Sequence, residues 1–123
     1  MAKKKTICFD FDGVLHSYTS PWAGHTVIKD GPVPGAQDTC ERLLLAGWKV
    51  VVFSTRSKDE AGREAMRLWL REYEFPGGMQ IASEKLPAEV YVDDRGFSFN
   101  GNFDQLLLFL AGDTRPWNKK GEV

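Results

Sequence analysis

Cysteine is scarce in this chain. Cys8 lies inside an apolar run and Cys40 in a helical pattern, and the two have neither the density of a disulfide scaffold nor metal-ligand spacing, so both read as reduced core residues. Long apolar runs are missing too. The longest, residues 50–53 and 106–111, fall far short of the roughly 20 residues that span a bilayer, and no apolar signal core follows the N-terminal lysines. The expectation is a cytoplasmic protein with no membrane partner. Sixteen basic residues against seventeen acidic ones leave a net charge of -1, so no overall positive field attracts nucleic acid. Lys3, Lys4, Lys5, Lys119 and Lys120 read as solubilising ends. His16 and His25 have no partners at metal-ligand or triad spacing and read as ordinary loop residues. With no repeat or low-complexity tract, 123 residues suit one domain over 1–123, able to bury about two-thirds of its unfolded surface.

Hydrophobic patterning divides the chain into alternating strands and helices. A short apolar run over residues 6–9 predicts the first strand, over 6–11. Residues 16–34, with Pro21, Pro32, Pro34, Gly24 and Gly31, read as a long loop or flap. Ala36, Cys40, Leu43 and Leu44 line one face of a helix that starts near Gly35 and stops at Gly47. A second strand is expected over 49–53. Ser57 and Glu60 have the spacing of a capping box and predict a helix start, with Ala61, Ala65, Met66, Leu68, Trp69 and Tyr73 on its apolar face and Pro76, Gly77 and Gly78 beyond its end. Strands over 80–82 and 90–92 follow. Alternation at Phe97, Phe99 and Phe103 around Asn100 and Gly101 suggests a hairpin before a last helix over 104–111. The predicted fold is a three-layer α/β/α Rossmann-like sandwich with a mainly parallel sheet.

The acidic residues then stand out by position. Asp10 and Asp12 end the first strand, while Asp93 and Asp94 follow the fourth. In open α/β sheets the ligand crevice lies beyond the carboxyl ends of the strands, so carboxylates there face a site rather than the core. An isolated Asp-x-Asp is more often a turn or a helix cap. Here it comes with Ser54, Thr55 and Arg56 after the second strand and with Lys85 before the fourth. Residues two apart on a strand point to the same side, so Asp10 and Asp12 can address one substrate. Ser54 is favoured over Thr55 as the hydroxyl donor because it directly follows the strand residue Phe53. Arg56 reads equally well as a substrate contact or a structural salt bridge, and Asp94 as a ligand, a cap or a partner of Arg95. Trp22 is either an anchor for the flap or a stacking group. Trp69, Trp48 and Trp117 read as packing residues.

The ordered set Asp10-Phe11-Asp12-Gly13, Ser54, Lys85 and Asp93-Asp94 resembles the signatures of the haloacid dehalogenase superfamily of aspartate-nucleophile phosphohydrolases, over roughly residues 6–96. That resemblance implies a Mg²⁺-dependent phosphomonoester hydrolase. Asp10 would be the nucleophile that forms an aspartyl-phosphate, and Asp12 the acid and then the base. Ser54, Thr55, Arg56 and Lys85 would bind the phosphate, with Ser54 and Lys85 also serving catalysis. The metal set implied is Asp10, Asp12 through its backbone carbonyl, Asp93 and Asp94. Ser54-Thr55-Arg56 and Asp93-Asp94-Arg95 are partly similar to the phosphatase domain of phage polynucleotide kinase, which makes nucleotides and polynucleotide 3'-phosphates candidate substrates. Neither gap has room for the cap domain of larger members, so the crevice is expected to be open, suited to a macromolecular phosphoester or covered by a second copy of the chain. The alternative is a phosphorylatable receiver-like signalling module. Receivers, however, carry their acidic pair after the first strand and the acceptor later, the reverse of the order here.

Overall fold

Parallel strands buried on both faces read as unbroken apolar runs, and the centre of the sheet is built from two of them. In the computed structural model, which describes residues 4–93 and 103–110, β1 (Thr6–Asp10) and β2 (Lys49–Phe53) each bury their three middle residues completely or nearly so. With β3 (Gln80–Ala82) and β4 (Val90–Val92) they form a wholly parallel sheet in the order β3-β2-β1-β4. The strands match the sequence expectation, except that β1 ends at Asp10 rather than Phe11. Asp94, Arg95 and the expected hairpin at Phe97 and Phe99 lie outside the described residues, as do Trp117 and the lysines at positions 3, 119 and 120.

Among the described residues, three α-helices complete the three-layer α/β/α arrangement: α1 (Ala36–Leu45), α2 (Glu60–Glu72) and α3 (Phe103–Leu110). In α1, Ala36, Thr39, Cys40 and Leu43 recur at helical spacing and are buried. The helix stops where Gly47 takes φ 93°: its N–H donates to the carbonyl of Leu44 and that of Trp48 to Leu43, the paired bonds of a Schellman end. Phe9, Phe11, Met66, Trp69, Phe103 and Leu106 belong to the one apolar cluster that all the layers share. Burial pushes the Cys8 thiol up to about 11 and that of Cys40 to about 12, which keeps both in the inert thiol form. Among the described residues no helix is long and apolar enough to cross a membrane.

The start of α2 differs from the expectation. Ser57 does not cap it. Ser57 instead closes a short 3₁₀ helix, Thr55–Lys58: the Ser54 N–H donates to Ser57 Oγ (3.1 Å) and the Ser57 hydroxyl donates to the Ser54 carbonyl (2.7 Å). The cap of α2 is Asp59, whose carboxylate accepts from the N–H of Gly62 at 2.8 Å. This start rotates the buried face to Gly62, Met66, Trp69 and Leu70 and leaves Ala61 and Leu68 exposed, because Gly62 must pass directly under the Arg56 carbonyl. A Cβ on Gly62 would stand 1.7 Å from that oxygen. Gly62→Ala is therefore expected to cost about 3 kcal/mol, the upper end for overpacking, and to lower Tm by roughly 10 °C. A thermal melt within about 2 °C of the parent would mean that the 3₁₀ helix shifts freely.

Candidate active site

The strand order reverses at β1, which lies between β2 and β4, so the rule for open parallel sheets places a ligand site beyond the carboxyl ends of β1 and β4. Asp10 ends β1 and is in register with Phe53 of β2; Phe9 is in register with Val92, which sets Asp10 and Asp93 side by side on adjacent strands. Asp93 is only 8% exposed and is ion-paired with Lys85, which reaches it from the β3–β4 connection and also lies over the ring of Tyr91. Burial pushes the Asp10 carboxyl up to about 6, and the negative charges of Asp12 and Asp93 push the same way. The N–H of Phe11, donated to Oδ1 at 3.0 Å, and the Lys85 ammonium oppose the rise.

Beyond Asp10 the chain winds into one tight turn. Gly13 adopts φ 83°, a region that side chains disfavour, and the N–H groups of Leu15 and His16 both reach the carbonyl of Phe11, at 3.0 and 2.9 Å. No atom lies within 4 Å of a Cβ built on Gly13, so the demand for glycine here is conformational rather than steric. The turn brings His16 back onto Asp12, with Nδ1 2.8 Å from Oδ1. The other ring nitrogen accepts from the N–H of Asp30 at 3.2 Å, which assigns the ring proton to Nδ1, facing the carboxylate. His16 is 2% exposed and stacks on Phe11, so it is a buried member of the site and not the ordinary loop residue expected from sequence. Its signal was present: a histidine four residues after Asp12, across a glycine that lets the chain coil.

Arg56 completes the set. Its Nε donates to both oxygens of Asp12, at 3.1 and 3.0 Å, and its Nη1 to the carbonyls of Gly24 (3.1 Å), His25 (3.1 Å) and Val27 (2.9 Å). At 1% exposure it fills the structural half of the two roles open to it, fastening the flap to Asp12. The flap leaves and rejoins the body as a paired ribbon: Ser17 N–H donates to Gly31 and Val33 N–H to Leu15, both at 2.9 Å. Further fasteners are the Trp69 indole N–H on the Asp30 carbonyl (2.9 Å) and His25 against Asp59 (2.9 Å). Ser54, buried, accepts from the N–H of Arg56 at 3.1 Å and stands 3.4 Å from Asp12, whereas Thr55 is exposed.

Asp10, Asp12, Ser54, Lys85 and Asp93 thus come together at one end of the sheet, while Asp94 lies outside the described residues. Among the described residues, no group of three or more His, Cys, Asp and Glu side chains is arranged to hold a metal ion. Asp10 and Asp93 supply two hard oxygen donors, and the Asp12 carboxylate is taken up by Arg56 and His16.

Comparison with known proteins bears on the fold. No protein-family model matches the chain, and no curated protein matches it. A solved structure, described as the conserved protein coded by locus from Bacteroides thetaiotaomicron, superposes with a TM-score of 0.65 at 20% identity, covering 94% of this chain and 96% of that one. Its description states no activity. At that identity the likeness establishes a shared small α/β Rossmann-like fold.

Two outcomes follow from this geometry. In metal-free buffer Asp10→Asn is expected to stabilise the protein. The folded-state carboxyl holds its proton up to about pH 6 against an ordinary value of 3.8, so stability falls as pH rises through that window and stays reduced above it. The gain in Tm should therefore be present at pH 8 and vanish near pH 4; an equal shift at both would disprove the cause. Arg56→Met strands three carbonyls and removes the guanidinium from Asp12, with an expected loss of about 3 kcal/mol in denaturant melts and faster proteolytic cutting of residues 16–34. Unchanged cutting would show that Arg56 is not the fastener.

Proposed function

We propose that this protein is a Mg²⁺-dependent phosphomonoester hydrolase that works through an aspartyl-phosphate on Asp10. The observation that carries the proposal is the carboxylate cluster at the switch point of the sheet, half-buried Asp10 flanked by half-buried Asp12 and buried Asp93, with Lys85 and Ser54 beside it. The order of those residues in the chain, similar to that of the haloacid dehalogenase superfamily, supports the same reading.

In this mechanism the ionised Asp10 carboxylate attacks phosphorus, forming the O–P bond as the ester oxygen leaves with a proton from Asp12. The Asp12 carboxylate then takes a proton from water, which attacks the acyl phosphate and releases inorganic phosphate, restoring both aspartates. Arg56 and His16 fix the angle of Asp12 for both proton transfers. Lys85 and the Ser54 hydroxyl offset charge on the phosphoryl oxygens. Asp10, Asp93 and the Asp12 carbonyl, with Asp94 as the family resemblance implies, would hold Mg²⁺, which would supply Lewis-acid charge compensation when bound. Two adjacent carboxylates fit that ion, which is content with one or two of them and keeps several waters.

Purified protein is expected to hydrolyse an aryl phosphate with Mg²⁺ and to stop when chelator is added, with Asp10→Asn reducing turnover by at least about a thousandfold. Full activity in that variant would remove the nucleophile. A stable phosphoprotein without turnover would favour the receiver-like reading instead.

A further inference from the structure

The flap carries two aromatic side chains that the phosphate chemistry leaves unused. Trp22 is 49% exposed, and the Arg56 guanidinium carbon lies 4.5 Å from its ring centre. Tyr18 is 37% exposed, and its ring meets that of His16 edge-on at 5.8 Å. Arg56 and His16 are the two groups that hold Asp12. Each cation or ring that grips this carboxylate therefore also touches a partly exposed aromatic.

Neither ring is there by default. Tyr18 sits at φ 55°, in the left-handed region that a bulky residue enters only under strain, and such strain gathers at ligand clamps. Trp22 rests on a guanidinium that is itself locked by two contacts to Asp12 and three flap carbonyls, so the indole is held by a rigid seat. A cation against one face of an indole leaves the other face for a flat partner. A fixed, half-open aromatic a single arginine away from an acid/base carboxylate suits a phosphomonoester that carries a planar group next to its sugar.

We propose that Trp22, assisted by Tyr18, is a stacking platform for a nucleobase, and that the substrates are phosphomonoesters of nucleosides. The inference rests on the phosphohydrolase reading for turnover, but binding can be tested apart from it. Free nucleotides and phosphorylated oligonucleotide ends share the base, and separate arms tell them apart.

In the Asp10→Asn protein with Mg²⁺, titration with adenosine 5'-monophosphate, adenosine 3'-monophosphate and a 3'-phosphorylated oligonucleotide should quench tryptophan fluorescence. Ribose 5-phosphate should not, and Trp22→Phe should remove most of the quench. In the parent enzyme Trp22→Ala should raise KM for the nucleotide by about tenfold while leaving KM for ribose 5-phosphate within twofold. Trp22→Phe should keep most of the nucleotide preference, since a second aromatic ring can still stack. Equal loss on both substrates would overturn the platform and make Trp22 a flap anchor. A change in solution mass with an unchanged KM ratio would make it a subunit contact. Quenching without hydrolysis of any ester would sink the hydrolase reading and leave the platform standing.

Discussion

One buried guanidinium organises the functional end of this molecule. Arg56, with almost no solvent access, directs Nε at both oxygens of Asp12 and Nη1 at three flap carbonyls. Burying such a charge is unfavourable unless every contact is made, so the flap and Asp12 are ordered by the same requirement. His16 holds Asp12 from the other side, through a turn that depends on Gly13. The 3₁₀ helix over Thr55–Lys58 exists where Arg56 must leave the sheet and enter the flap, and Gly62 lets α2 pack beneath it. Helix capping, flap anchoring and side-chain aim are thus parts of one arrangement.

The second constraint is the gathering of carboxylates, one of them desolvated, at the end of the sheet. Asp10 and Asp93 are adjacent because β1 and β4 pair across the switch point, and burial holds the Asp10 carboxyl near 6, with its neighbours adding to the effect. Lys85 answers part of that charge through Asp93. A site that carries such tension is poorly designed for stability alone, and functional sites are where folds accept it. Under the proposed function, a divalent cation and a phosphoryl group would relieve that tension.

Much of the architecture was readable along the chain, since buried parallel strands and amphipathic helices leave short-range patterns. Val50, Val51 and Val52 announce a strand buried on both faces, and Ala36, Cys40 and Leu43 one face of a helix. The start of α2 was not readable, because Ser57 and Glu60 have the spacing of a cap while Asp59 takes the role: the choice turns on Arg56 and Gly62 meeting, a contact that spacing does not reveal. His16 was missed for a related reason, its partner being a carboxylate inside a turn rather than a second histidine at ligand spacing.

From the residues alone came the alternation of strands and helices and the presence of acidic side chains at strand ends, because both depend on neighbours a few positions apart. Which strands lie side by side, and hence that Asp10 adjoins Asp93, was decided only when the sheet assembled in the order β3-β2-β1-β4. Folding also made Arg56 a buried fastener, since its carbonyl partners come from a flap some thirty residues away in the chain. Side-chain chemistry is local information, whereas burial and the pairing of distant charges arise only when the chain closes on itself.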